Sequence, residues 1–127
     1  MRKITISFIL TSNKVSMDFL AKQIGINPYV TCSDFPKSSI AEPYWYIEVV
    51  SDSTSLEEPL NSLGSIIKPH KEQIIELCGK YEIEPTVLIV VDSDYEDRPE
   101  LTIPFKLLEL FSQLKAEVSL EIVNNWD

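Results

Sequence analysis

One histidine, two cysteines and three glycines in 127 residues leave this chain short of the groups from which most catalytic and metal sites are built. With His70 alone, a paired-histidine metal site is excluded, and a catalytic dyad would have to find a carboxylate for that single imidazole. Cys32 and Cys78 lack metal-ligand spacing and are too few for a disulfide scaffold, so they read as small buried or half-buried thiols. No Gly-x-Ser-x-Gly elbow, glycine-rich phosphate loop or Cys-x-x-Cys pair occurs. No apolar run reaches the length of a membrane helix. Met1-Arg2-Lys3 before an apolar stretch imitates a secretory signal, yet polar residues recur at every second position and no small-residue cleavage site follows. A strand at the N-terminus and a cytoplasmic location are the expectation.

Basic residues are scarce as well: 11 Lys and Arg stand against 20 Asp and Glu, for a net charge of −9. Two short stretches hold all of that imbalance. Residues 42–58 carry Glu42, Glu48, Asp52, Glu57 and Glu58 with no base, and residues 92–100 carry Asp92, Asp94, Glu96, Asp97 and Glu100 against Arg98 alone. Acid of this density repels nucleic acid, whose phosphates select Lys and Arg surfaces, and steers basic partners inward.

What is abundant is material for a core. Hydrophobic residues make up 44% of the chain, and its length suits one domain over residues 1–127. Ile4, Ile6, Phe8 and Leu10 alternate with polar residues as in a half-buried strand. Ser16 then opens a short helix bearing Phe19, Leu20 and Ile24, and Gly25 stops it. Asn27-Pro28 marks a turn, Tyr29 to Cys32 a short strand and Asp34 to Pro43 a proline-containing loop. In Tyr44 to Val50, Trp45, Ile47 and Val49 alternate with Tyr44, Tyr46 and Glu48, which sets the tyrosines on the outward face.

Ser55-Leu56-Glu57-Glu58 has the spacing of a capping box, predicting a helix that Gly64 and Pro69 interrupt before a second helix from about Lys68 to Lys80. His70 falls on the apolar stripe of that second helix, as a partly buried structural side chain. Thr86 to Val91 is the apolar run of a central strand. Glu100 to Ile103 reads as a return strand, Pro104 as the start of a helix carrying Leu107, Leu108, Leu110, Phe111 and Leu114, and Val118, Leu120 and Ile122 as the inward face of a last strand. The expected fold is α+β: a mainly antiparallel sheet with helices on one face, built from ferredoxin-like split β-α-β elements plus an added strand-helix-strand unit. Its open side would present Lys3, Thr5, Ser7, Tyr44, Tyr46, Glu48, Ser119 and Glu121.

The acids of Asp92-Ser93-Asp94-Tyr95-Glu96-Asp97 alternate as in calcium loops, but the glycine of an EF-hand turn and its distal bidentate glutamate are missing. A solvated hairpin loop, or a docking loop for a basic partner, fits better. Tyr44 and Tyr46 beside Glu48 suit either sheet packing or an interface, where tyrosine is enriched.

Several segments in this order resemble a bacterial family of small proteins, the domain of unknown function 4279. They are the opening strand, Phe19-Leu20 through Gly25-Ile26-Asn27-Pro28, the Trp45 strand, Leu56, Leu60 and Leu63, Glu100-Leu101-Thr102-Ile103-Pro104 leading into Leu107-Leu108-Glu109-Leu110, and Ala116 to Ile122. The family often has a basic or glycine-containing turn after Pro28, where this chain has Thr31-Cys32-Ser33-Asp34. The resemblance brings no established active site, and some relatives look like immunity proteins that accompany secreted toxins. Together these features lead to the expectation of a non-enzymatic, cytoplasmic binding protein, without cofactor or metal, that uses Tyr44, Tyr46, Glu48, Asp92, Asp94, Tyr95, Glu96 and Asp97 to occlude a basic protein such as a nuclease toxin. The alternative is a regulatory module that binds a metabolite between sheet and helices.

Overall fold

A computed structural model describes residues 1–26, 30–33 and 44–124, with only the backbone of Met17, residues 30–33 and Asn124. The turn at Asn27-Pro28, the Asp34–Pro43 loop with Glu42, and the Cys32 side chain lie outside the described residues. The elements are β1 (Arg2–Thr11), α1 (Met17–Ile24), β2 (Val30–Ser33), β3 (Tyr44–Ser51), α2 (Glu57–Ile67), a 3-10 turn (Lys68–His70), α3 (Lys71–Tyr81), β4 (Glu84–Ser93), a second 3-10 turn (Tyr95–Asp97), α4 (Phe105–Gln113) and β5 (Glu117–Asn124). Among the described residues no helix is long and apolar enough to cross a membrane.

The fold is α+β, with one five-stranded sheet in the order β2-β3-β1-β4-β5. Pairing is antiparallel except between β4 and β5, so the sheet is mixed. Period-two alternation decides its two faces. Ile4, Ile6, Phe8 and Leu10 of β1, Trp45 and Ile47 of β3, and Val87, Ile89 and Val91 of β4 are buried beneath the helices. Phe8 and Trp45 meet edge to face at 6.4 Å. The helices add Leu20, Ile24, Leu60, Leu63, Ile67, Ile74, Leu77, Leu107, Leu110 and Phe111 to the same core. Each such side chain contributes roughly 1.5–3 kcal/mol by leaving water.

Local chemistry explains the element ends. Ser16 caps α1 by accepting the Phe19 amide at 3.1 Å, and Gly25 closes it at φ 73°, a left-handed conformation that suits a residue without Cβ. The capping box at Ser55 does not form. The cap position falls on Leu56, because Ser55 is bridged to Glu100 and the Leu56 amide donates to the Glu100 carbonyl at 3.1 Å. Gly64 does not interrupt α2; it sits inside the helix against α4, where a Cβ would lie 2.9 Å from Leu107 Cδ1. The bend comes at Pro69, in the 3-10 turn.

Three further expectations do not hold. Glu100–Ile103 is no strand of the sheet: its one pairing is the Ser55–Glu100 bridge, and the chain then runs unpaired into α4. The acidic stretch is therefore no hairpin loop, since β4 extends through Asp92 and Ser93 and a 3-10 turn follows that leads to a helix. The inward face of β5 is not buried either. Val118, Leu120 and Ile122 lie opposite the buried Val87, Ile89 and Val91 but stay 37%, 45% and 39% exposed. The helices thus cover this face of β5 far less than that of β4.

The glycines supply a paired test of this packing. Gly79, in the last turn of α3, has open space where a Cβ would stand, so Gly79→Ala should raise unfolding stability by about 0.5–1 kcal/mol through helix propensity. Gly64→Leu must push α2 and α4 apart and should cost at least about 2 kcal/mol. Urea unfolding monitored by circular dichroism measures both, and equal effects of the two substitutions would contradict the packing.

Candidate functional site

β1 is the ruler for the open face of the sheet. Its residues Thr11, Ile9, Ser7, Thr5 and Lys3 point away from the helices and lie between Tyr44, Tyr46, Glu48 and Val50 of β3 on one side and Glu84, Thr86, Leu88, Val90 and Asp92 of β4 on the other. Tyr44 and Tyr46, both half-buried, approach with ring centroids 5.5 Å apart. Glu48 is exposed one row further along. Ser7 is the exception to an open face, being 8% exposed in the centre of the sheet.

The acids lie elsewhere. Tyr46 is opposite Ile9, whereas the end of β4 at Ser93 is opposite Arg2, seven residues along the same strand. At about 3.3 Å per residue this separates the tyrosines from the acidic turn by roughly 23 Å. The eight candidate residues thus form two patches: Tyr44, Tyr46 and Glu48 toward one end, and Asp92, Asp94, Tyr95, Glu96 and Asp97 at the other.

What the structure joins instead is the two acidic stretches. β3 and β4 flank β1 in antiparallel pairs, so the end of β3 and the end of β4 meet where β1 begins. Arg2 clasps them. Its Nε donates to the Asp52 carbonyl at 2.9 Å, while Nη1 bonds the Asp97 carboxylate at 2.6 Å and the Asp97 carbonyl at 3.2 Å. Beyond them, the Glu100 amide donates to the Thr54 carbonyl at 2.8 Å. Asp52, Glu57, Glu58, Asp92, Asp94, Glu96, Asp97 and Glu100 consequently share one pole of the molecule. Asp52, Glu57 and Glu58 stand in the first acidic stretch, but nothing in their spacing ties them to the later one, and the clasping role of Arg2 has no signature in sequence.

Local bases partly offset this charge. The N-terminal ammonium lies 2.8 Å from Asp97 Oδ2 and 3.2 Å from Asp94 Oδ2. Its hydrogen bond holds the Asp97 carboxyl below the ordinary range, aided by Arg2, and Asp97 and Asp94 in turn raise the ammonium. Arg98 stacks over the Tyr95 ring at 5.4 Å, leaving that ring 71% exposed at the tip of the turn. A shallow groove of about 510 Å³ beside the pole is lined by Ser53, Ser55, Glu57, Glu58, Asn61, Ser62 and Ser65. It offers hydroxyls and carboxylates, acceptors suited to Lys and Arg side chains. Among the described residues, no group of three or more His, Cys, Asp or Glu side chains is placed to hold a metal ion.

A second concavity, about 560 Å³, opens at the far end between α3, the start of β4 and the turn into β5. Ile75, Cys78, Ile83 and Leu114 give it an apolar wall, and Thr86, Gln113 and Lys115 its polar rim. Cys78 there is a free thiol, and burial pushes it up to about 11.

No curated protein and no solved structure matches this chain. The family model for the domain of unknown function 4279 (DUF4279) matches residues 2–125, a span that includes every strand and helix described above. The chain therefore belongs to the DUF4279 family.

Proposed function

We propose that this is a non-enzymatic, cytoplasmic binding protein whose acidic pole docks a basic protein, in the manner of an immunity protein that neutralises a toxin or nuclease by covering its cationic substrate surface. The observation that supports this reading is the convergence of two acidic stretches, separate in sequence, on one end of the sheet beside a carboxylate- and hydroxyl-lined groove. Charge of one sign concentrated in this way accelerates encounter, while affinity rests on a few desolvated anchors. Tyr95 at the tip of the turn is the aromatic anchor of the pole. Tyr44, Tyr46 and Glu48, roughly 23 Å away, would be reached only by a partner that also spans the open face.

Affinity capture at low and high salt followed by mass spectrometry identifies a basic partner, and kinetics on that pair test the surface. Asp94→Lys with Glu96→Lys should slow association by at least about tenfold at low salt and flatten its salt dependence, whereas Tyr95→Ala should act mainly on dissociation. Association kinetics identical to those of the parent chain would eliminate the acidic pole as the docking surface.

The far concavity favours a second reading, a regulatory module for a small metabolite, because its volume lies in the range of ligand sites and its wall is apolar with a polar rim. A metabolite seated there should raise the melting temperature and shield Cys78 from alkylation. The assay belongs near pH 9, since a thiol of pKa about 11 is almost wholly protonated at neutral pH. A ligand that stabilises the chain but leaves the Cys78 alkylation rate unchanged binds elsewhere and retires this reading.

A further inference from the structure

The concavity at the far end of the molecule combines one cation and two carboxylates with an apolar wall. Of its apolar residues Ile83 and Leu114 are buried, while Ile75 keeps 36% of its surface exposed. Lys115, Glu84 and Glu117 line the same cavity. Among the described residues none of these three has an ion-pair partner, so opposite charges share the cavity without neutralising each other.

The backbone fixes where Lys115 stands. α4 ends in a Schellman motif, in which the Ala116 amide donates to the Phe111 carbonyl at 2.9 Å and the Lys115 amide to the Ser112 carbonyl at 3.0 Å, with Lys115 at φ 57°. Glycine fits this left-handed position without a Cβ penalty, so a lysine there forgoes stability that a glycine would supply. Glu82 ends α3 in the same conformation, at φ 55°, but is not part of the cavity lining.

We propose that the cavity binds a free α-amino acid with an apolar side chain, Lys115 taking its carboxylate, Glu84 and Glu117 its ammonium, and Ile75, Ile83 and Leu114 its side chain. The inference rests on the reading of this cavity as a metabolite site and names the class of metabolite. Charge complementarity selects a zwitterion. An apolar carboxylic acid would satisfy Lys115 but set its body against two carboxylates, and an apolar amine would leave Lys115 without a counter-ion; each mismatch forfeits a charge-assisted hydrogen bond. The volume of about 560 Å³ holds a whole amino acid and lies in the range of small-ligand sites. A side chain seated against Ile75 removes from water the apolar surface that the free chain leaves exposed. The left-handed backbone at Lys115 is then the strain of keeping an ammonium where a helix end favours glycine.

Isothermal titration calorimetry of the full chain at neutral pH with L-leucine should show saturable binding of one leucine per chain. Isocaproate, which lacks the amino group, and isopentylamine, which lacks the carboxylate, should bind at least about tenfold more weakly. Lys115→Gly separates binding from packing: it should raise the melting temperature of the ligand-free chain by about 2 °C or more while weakening leucine binding at least about tenfold. Glu82→Gly should raise the melting temperature comparably and leave leucine binding as in the parent chain. Cys78 alkylation, followed over a long incubation at neutral pH so that the leucine ammonium stays charged, reports occupancy of the cavity. No binding of leucine, leucine binding that leaves Cys78 alkylation unslowed, or leucine binding indifferent to Lys115→Gly would each overturn the proposal. Isocaproate or isopentylamine shielding Cys78 as well as leucine does would overturn the amino-acid assignment while upholding a metabolite site, which separates failure of this inference from failure of the reading beneath it.

Discussion

β1 is paired along its whole length with β4 and from Ile4 to Thr11 with β3, and the rest of the molecule depends on that double pairing. It is the one strand whose two neighbours are both long and both antiparallel to it. Ile4, Ile6, Phe8 and Leu10 stand between the buried residues of β3 and β4, so a one-residue slip on either side would turn a core face toward solvent. Burial therefore locks both registers at once. The placement of charge follows without further instruction, because antiparallel neighbours on either side of β1 must end together at its start. Arg2, the first residue of the strand, then reaches the backbone of one acidic stretch and the carboxylate of the other.

The helix layer is the second organising feature, and it is narrower than the sheet. α2 and α4 pack closely enough for Gly64 to be needed between them, and α3 closes the layer over the start of β4. Among the described residues, the helices leave Val118, Leu120 and Ile122 of β5 more than a third exposed. The strand remains because the parallel β4–β5 ladder satisfies one edge of its backbone, while its apolar residues keep more than a third of their surface in water.

Much of the fold was legible in the residues. The alternation of β1 and β3, the Ser16 and Gly25 ends of α1 and the apolar run of β4 are signals spelled out over a few neighbours, with physical causes equally local. Failures came where distant residues competed with a local signal. Ser55 and Glu57-Glu58 had a capping spacing, but the Glu100 carbonyl takes the Leu56 amide and Ser55 is drawn into a bridge. Glu100–Ile103 had strand composition, yet the edge it would have needed is occupied by β5. Val118, Leu120 and Ile122 had the pattern of an inward face; whether a face is inward depends on what lies above it.

The candidate site divides along the same line. That the protein is acidic, that its acid sits in two stretches and that Tyr44 and Tyr46 share an outward face were determined by composition and period alone, since charge and side-chain alternation are properties of the chain itself. That the two acidic stretches form one pole, that the tyrosines stand about 23 Å from it and that β5 is left bare were decided only by tertiary structure. These depend on strand order and on the width of the helix layer, which arise from pairings between residues scores of positions apart. No local spacing encodes them, because closing such long loops is governed by the burial achieved across the whole sheet.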